Sequence, residues 1–236
     1  MDVLKAALLC GTAAMLVSAL APPKRASENG GKASVYRGQP FEFIVRHLAS
    51  LACFVIPASS FCHSMLLLYR ARASWLEPAV PWLCPSNPPS LAPLAPLSTR
   101  FLVGVSLVVA GTALRILSYR ALGSLFTYEV FVKDDHRLVN TGPYRLVRHP
   151  SYTGVALLLL GTHLIHFGDG GYVTYCDVAS TPMVFFVHFW RWAAPFAVVS
   201  LSRRCRVEDE QLRERFGVKW DMYRQAVPYA LVPFIY

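Results

Sequence analysis

The sequence predicts an all-α, polytopic membrane protein with about five transmembrane spans. Of its 236 residues, 54% are hydrophobic and only 16% are charged, and its mean hydropathy is +0.38. Several apolar runs approach or exceed the length of about 20 residues that a helix needs to cross a bilayer. The basic residues behind the net charge of +9 lie in short segments between these runs. This distribution favours anionic lipid surfaces over nucleic acid as the partner.

Three spans form the first of two predicted regions, residues 1–119. They cover residues 3–21, 41–69 and 101–119, and they are separated by a basic loop and by a Pro- and Trp-rich loop. The basic loop is expected on the cytosolic side, because positive charge accumulates there.

The third span has two features of its own. Gly104, Ala110, Gly111 and Ala113 give it a small-residue face, which allows another helix to pack closely. Arg115 lies late in the same span and is expected to snorkel towards the cytosol.

Two further spans belong to the second region, residues 120–236. Residues 152–167 form the fourth span, which at about 16 residues is shorter than the usual 20 or so. Residues 182–201 form the fifth. This path places the basic segments on one side of the membrane, so we expect a cytosolic C-terminus.

The six cysteines predict neither a disulfide framework nor a zinc site. They are scattered along the chain, and no two form a Cys-x-x-Cys pair. Four of them lie in or next to apolar runs, where a cysteine usually behaves as a small apolar side chain. No metal site is expected.

A basic and aromatic segment, residues 136–154, organises the second region. Its Thr-Gly-Pro sequence is typical of a turn. Pro150 pushes His149 out of the helical region and suits the first position of a new helix. The first amides of that helix, in residues 151–153, could dock an anionic or oxygen-rich group. Three arginines are explained equally well as site residues and as ordinary basic side chains beside a span: Arg137, Arg145 and Arg148.

A helix that follows the fifth span supplies the second half of the candidate site. At 100° per residue, Glu208 falls inside an apolar stripe. The stripe consists of Leu201, Cys205, Leu212 and Phe216. A carboxylate on a buried face needs a partner, and Arg204 lies one turn before it. A weak surface ion pair is the alternative. The neighbouring charges are predicted to face solvent: Asp209, Glu210, Arg213 and Glu214.

Taken together, the two stretches resemble the isoprenylcysteine carboxyl methyltransferase family of endoplasmic reticulum membrane enzymes. The resemblance covers about the C-terminal half, from near residue 123 to residue 234. Phospholipid N-methyltransferases and sterol reductases carry similar Arg-His-Pro boxes, whereas the full order and spacing is specific to the methyltransferase family. The motifs are His136-x-Leu138-Val139, Gly142-x-Tyr144, Arg148-His149-Pro150-Ser151-Tyr152-x-Gly154, Arg204-x-x-x-Glu208, Phe216-Gly217-x-x-Trp220-x-x-Tyr223, Val227-Pro228 and Pro233-Phe234-Ile235.

The resemblance implies S-adenosylmethionine as cofactor, bound on the cytosolic side between residues 136–154 and the C-terminal helix. The implied cofactor-binding residues are His136, Arg137, Leu138, Val139, Tyr144, His149, Pro150, Ser151, Tyr152 and Glu208. Arg204 would be the catalytic residue, in contact with the substrate carboxylate, and no metal is implied. The family also has a Gln contact before this segment; only Glu129 lies at about that distance here, and the contact stays open.

Two other departures from the family are a lengthened turn at residues 168–181 and an altered sequence at residues 229–232. We expect neither to affect the matched site positions.

The implied activity is methyl esterification of the C-terminal prenylcysteine carboxylate of prenylated, CaaX-processed proteins at the cytosolic face of the endoplasmic reticulum membrane. The partners would be prenylated proteins or prenylcysteine and membrane lipid. An α-carboxylate with a pKa of about 3.5 is already ionised at neutral pH, so no general base is required. The alternatives are a phospholipid N-methyltransferase, which needs a base for its amine, an NADPH-dependent sterol reductase and a non-enzymatic membrane scaffold. The sequence does not determine the preferred prenyl group or the oligomeric state.

Overall fold

The computed structural model describes residues 1–21, 40–86, 88–125 and 138–235. Within these ranges the chain is helical and contains no strand, which confirms the predicted all-α class. The α-helices are α1 (Asp2–Leu20), α2 (Pro40–Arg70), α3 (Val80–Leu83), α4 (Thr99–Leu122), α5 (Pro150–His166), α6 (Tyr172–Tyr175), α7 (Val184–Phe216) and α8 (Val218–Ala226). Short 3-10 helices lie at Ser74–Ala79, Ala92–Leu94, Gly123–Leu125, Gly142–Arg145 and Val178–Ser180.

Four helical segments of the described chain are long and apolar enough to cross a membrane. They are Asp2–Leu20, Phe43–Arg70, Ala92–Leu122 and Val184–Phe216, and they correspond to the first, second, third and fifth predicted spans. The remaining predicted span, α5, has 17 residues. A total of five crossings therefore stays a prediction, as does the division of the chain at residue 120.

The most extensive helix contact joins α4 and α5, and glycines explain its closeness. A Cβ atom at Gly111 would lie 2.7 Å from the carbonyl oxygen of Gly154, and a Cβ atom at Gly154 would lie 2.8 Å from that of Gly111. Gly104 and Gly161 face each other in the same way, at 2.9 and 2.7 Å. This pairing makes the two helices antiparallel and confirms the small-residue face of α4.

A buried arginine ties α1 to the C-terminal end of α4 and the beginning of α5. Arg115 is 3% exposed. Its Nε donates to the carbonyl oxygen of Ala19 at 2.7 Å, and its Nη1 donates to Ser151 Oγ at 3.0 Å. The expectation that this side chain snorkels was wrong, because the last turn of α1 offers carbonyl acceptors inside the protein.

The opposite end of the bundle carries a disulfide between Cys84 and Cys176, whose Cα atoms are 4.7 Å apart. The prediction from the cysteine pattern was wrong here. The two residues are separated by 92 positions, but one lies in the loop before α4 and the other in the loop after α5. Because these helices are antiparallel, both loops reach the same end of the bundle, and spacing along the sequence does not reveal this.

Candidate functional site

The candidate site lies where α5 begins. Pro150 starts the helix, and His149 precedes it with φ −126° and ψ 59°, outside the helical region as predicted. The amides of Tyr152 and Thr153 both bond to the carbonyl oxygen of His149, at 3.0 and 3.4 Å. These two amides are therefore already used, so the expectation that they could dock an anionic group was wrong for Tyr152 and Thr153 and stays a prediction for Ser151.

The C-terminal segment holds the residues before α5 through the main chain. Arg148 N donates to Tyr229 O at 3.0 Å, and His149 N donates to Ala230 O at 2.9 Å. The altered sequence at residues 229–232 therefore contacts the matched positions directly, and the expectation that it does not affect them stays a prediction. Since the acceptors are main-chain oxygens, the altered side chains still allow the contacts.

His149 lies between two carboxylates of α7. Its Nδ1 is 3.2 Å from Glu208 Oε2, and its Nε2 is 2.8 Å from Asp209 Oδ1. The other oxygen of Glu208 accepts from the Tyr152 hydroxyl and from Arg204 Nε, the latter at 3.2 Å. The Arg-His-Pro motif and the Arg/Glu motif therefore meet in one cluster of side chains.

This cluster keeps His149 positively charged. Burial alone would lower its pKa, but hydrogen bonds to Asp209 and Glu208, together with their negative charge, outweigh burial and raise the pKa to about 9. Both ring nitrogens then donate, as an imidazolium requires. At neutral pH the cluster holds two carboxylates opposite the cations of Arg148, His149 and Arg204.

An apolar cavity adjoins the cluster. Its walls come mainly from apolar side chains of α2, α5 and α7, and its volume is about 80 Å³. Arg204, Arg115 and Tyr152 are the polar residues in the wall. Arg204 is only 2% exposed, so a buried guanidinium connects an apolar cavity with the carboxylate of Glu208.

Comparison with known proteins gives a match to one family model and several named relatives. The family model described as phospholipid methyltransferase matches residues 99–194. A probable protein-S-isoprenylcysteine O-methyltransferase of Oryza sativa subsp. indica is 33% identical over 135 residues, which cover 56% of this chain and 61% of the relative. The protein-S-isoprenylcysteine O-methyltransferase of Saccharomyces cerevisiae is 30% identical over 135 residues, 56% of this chain and 48% of the relative. That of Xenopus laevis is 28% identical over 196 residues, 82% of this chain and 59% of the relative.

The chain is similar to protein-S-isoprenylcysteine O-methyltransferases. The resemblance inferred from the motifs is thereby confirmed, in relatives from plants, yeast and animals. The matches span about half to three fifths of the length of these relatives.

The structure brings together only some of the residues that the methyltransferase resemblance implies. His149, Tyr152, Arg204 and Glu208 contact one another as described above. Ser151 is not joined to this group directly: its Oγ accepts from Arg115, which lines the same cavity as Arg204.

The remaining implied residues make other contacts or lie outside the described chain. Leu138 packs against a small apolar cluster formed by Trp220, Tyr223 and Val227. Tyr144 is buried close to the cluster: its hydroxyl forms a hydrogen bond with Ser118, and burial and the negative charge of Glu208 raise its pKa. Its carbonyl oxygen accepts from the Tyr223 hydroxyl at 2.8 Å. Val139 is partly exposed. His136, Arg137 and Glu129 lie outside the described residues.

Sequence reasoning missed Asp209, which we predicted to face solvent. Its side chain is 16% exposed and forms an ion pair of 2.9 Å with Arg148. A signal was present: at 100° per residue, Asp209 lies about 20° beyond Phe216, at the edge of the apolar stripe. It also follows Cys205, which is buried, by one turn.

Proposed function

We propose that this chain methyl-esterifies the C-terminal prenylcysteine carboxylate of prenylated proteins, with S-adenosylmethionine as methyl donor. The observation that carries the proposal is the position of Arg204, a buried guanidinium that lines an apolar cavity and contacts Glu208. A lipid that ends in a carboxylate matches this combination. Its chain needs an apolar space, and its carboxylate suits the planar donors of a guanidinium. The names of the relatives support the same reaction.

The chemistry of the cluster fits S-adenosylmethionine. The Glu208 side chain is 22% exposed, and a carboxylate suits a ligand that carries an ammonium group. When bound, the cofactor would supply an electrophilic methyl group on a sulfonium. Glu208, His149 and Tyr152 would hold and orient it. The remaining residues implied by the resemblance would complete this site: His136, Arg137, Leu138, Val139, Tyr144, Pro150 and Ser151.

The residues of the chain have a limited task in this reaction. The acceptor carboxylate, with a pKa of about 3.5, arrives ionised and needs no base. Arg204 would orient the attacking oxygen and exclude alternative poses, which is catalysis by proximity. Its burial strengthens this effect, because an ion pair is stronger in a medium of low dielectric constant than in water.

The cavity would take the prenyl chain. Each methylene buried in an apolar environment contributes about 0.8 kcal/mol, so a prenyl chain leaves the bilayer reluctantly. Residues of both α2 and α7 line the cavity, and we propose that the chain enters sideways between these helices. Methylation of a short, lipid-free acceptor at the rate of a farnesylated one would contradict this route.

The disulfide supports an orientation for the site. Cys84 and Cys176 lie at the end of α4 and α5 that is remote from His149, and disulfides persist in oxidising compartments. The site would then face the reducing cytosol, with the far loops in the lumen of the endoplasmic reticulum. Protease treatment of intact microsomes should remove a tag from the C-terminus; protection of that tag would contradict the orientation.

A phospholipid N-methyltransferase is the second candidate, because the matched family model carries that description. The match ends at residue 194, however, ten residues before Arg204. One experiment separates the candidates: membranes containing the protein are incubated with methyl-labelled S-adenosylmethionine and either farnesylcysteine or phosphatidylethanolamine. We expect a base-labile methyl ester on farnesylcysteine. Label confined to the phospholipid would favour the second candidate, and absence of label from both would favour a reductase or a scaffold.

A further inference from the structure

We infer that Asp209 is a positioning residue of this site: its carboxylate holds Arg148 and His149 together and fixes how His149 meets Glu208. The inference rests on the proposed function in one respect, since Glu208 is taken there as a cofactor contact. Asp209 itself would not touch the cofactor or the acceptor. It would act through His149.

One carboxylate serves two consecutive residues. Oδ2 of Asp209 accepts from Nε and Nη2 of Arg148 at 3.1 and 2.9 Å, and Oδ1 accepts from Nε2 of His149 at 2.8 Å. An ionised carboxylate can accept on both oxygens at once. An amide of the same shape cannot, because its NH₂ group would face a donor of either Arg148 or His149. The arrangement therefore requires the charge and both oxygens of Asp209.

Arg148 also contacts the C-terminal segment. Its Nη1 donates to the carbonyl oxygens of Val227 and Pro228, at 2.9 and 2.6 Å, and the residue is buried. Asp209 thus joins α7 to both the start of α5 and the segment that follows α8. A buried guanidinium without its anion is costly, so the position of Arg148 depends on Asp209.

Asp209 also helps to keep His149 protonated, together with Glu208. From α7, the carboxylates of Glu208 and Asp209 contact the His149 ring, and the guanidinium of Arg204 lies behind Glu208. From the segment that contains His149 itself, Arg148 pairs with Asp209 and the Tyr152 ring stacks on the imidazole. The C-terminal segment contributes the carbonyl oxygen of Ala230. Without the Asp209 charge, one of two anions holding the imidazolium is lost, and the ring should lose its proton at lower pH. A neutral ring has one N–H and can no longer donate to both carboxylates.

The direct test is a titration of His149 in the purified full-length protein, followed by ¹⁵N NMR of the imidazole nitrogens and assigned with His149→Gln. In the wild type the ring should stay protonated up to about pH 9. In Asp209→Asn we expect the midpoint to fall by at least about one pH unit, and Asp209→Glu should recover part of the shift. Glu210→Gln is the matched control, because Glu210 is the next residue on α7 and is exposed. An unchanged midpoint in folded Asp209→Asn, or an equal shift in the control, would overturn the inference.

A kinetic readout separates positioning from a structural defect. At pH 8 we expect Asp209→Asn to raise KM for S-adenosylmethionine about twofold, with a smaller change in kcat, because a ring whose pKa is about one unit lower is protonated in about half of the molecules, against about nine tenths in the wild type. At pH 6.5 the difference should narrow, because the ring is protonated in more of the variant molecules. An equal defect at both pH values would indicate structural damage and contradict the positioning role. If the wild type methylates no acceptor, the proposed function fails, while the NMR titration still tests Asp209.

Discussion

The two ends of the α4–α5 pair are held together by different chemistry. At the end that carries Cys84 and Cys176, a disulfide joins the loops covalently. At the end where α5 begins, hydrogen bonds and ion pairs join His149 to α7 and to the C-terminal segment. The disulfide holds the far end whatever the pH or the ligand. The other end consists of ionisable groups, which can exchange their partners for a ligand and respond to pH. Ligand binding and catalysis are therefore expected at the end where α5 begins, and four predictions test this difference between the two ends.

The largest effect is expected from Arg204→Ala. Truncating one member of a buried, hydrogen-bonded charge pair costs about 2–5 kcal/mol, so kcat/KM for the prenylcysteine acceptor should fall by about 30-fold or more. Binding of S-adenosylmethionine, measured by calorimetry, should be largely kept. In Glu208→Ala the pattern should reverse, with the main loss in cofactor binding.

Arg203→Ala is the matched control for Arg204, since Arg203 is the preceding residue and is exposed. It should retain activity. Equal loss of cofactor and acceptor binding in both Arg204→Ala and Glu208→Ala would indicate misfolding and would contradict the assigned roles.

A substitution in the interface between α4 and α5 should destabilise both ends of the pair. In Gly161→Ala the new methyl group would meet the Gly104 carbonyl oxygen at 2.7 Å, and overpacking of this kind costs about 1–3 kcal/mol. We expect a lower melting temperature and a proportional loss of active protein. Gly11→Ala, where no other group lies within 4 Å, should instead be neutral or stabilising by up to about 1 kcal/mol. A decrease of the same size in both variants would contradict the proposed packing.

Alkaline pH should weaken the end that contains His149. Its pKa is raised from 6.5 to about 9 in the folded protein, so the stabilisation that protonation gives is complete below pH 6.5 and is lost as the pH rises through about 9. The free energy of unfolding should therefore decrease between pH 6.5 and 9. Denaturation measured across this range in the wild type and in His149→Gln provides the check. The free energy of unfolding of the variant should not show this decrease with pH, and the same dependence on pH in both proteins would contradict the prediction.

The smallest effect on catalysis is expected from removal of the disulfide. The double substitution Cys84→Ser and Cys176→Ser should cost about 2–4 kcal/mol of stability, because the unfolded chain loses a cross-link. KM for both substrates, measured below the melting temperature, should stay within about twofold of the wild type, since RT ln 2 is only about 0.4 kcal/mol. A large selective change in KM for S-adenosylmethionine would show that the two ends are coupled after all.

The sequence predicted the features that repeat along the chain or depend on local chemistry. Apolar runs indicated the helices, the glycines of α4 indicated its close contact, and Pro150 indicated where α5 begins. The Arg-His-Pro motif, the Arg204/Glu208 pair and the terminal Pro-Phe-Ile, in this order and spacing, identified the resemblance. Each of these signals resides within a few turns of one segment, where periodicity and backbone preference are informative.

The errors concern contacts between segments that are distant in sequence. The pairing of Cys84 with Cys176 follows from the antiparallel packing of α4 and α5, and the burial of Arg115 follows from the position of Ala19 at the end of α1. Asp209 was assigned to solvent because its helical position alone does not show that Arg148 and His149 lie opposite. In all three cases the missing information was the tertiary partner, which a single sequence does not contain.

The central claim is that one cofactor is held jointly by the start of α5 and by α7. Photo-crosslinking of labelled S-adenosylmethionine to the purified protein, followed by peptide mapping, tests it most directly. We predict label on peptides that contain His149 or Tyr152 and on peptides that contain Glu208, displaced by excess unlabelled cofactor and lost in Glu208→Ala. Displaceable label on peptides from only one of these two segments, unaffected by Glu208→Ala, would contradict a shared site.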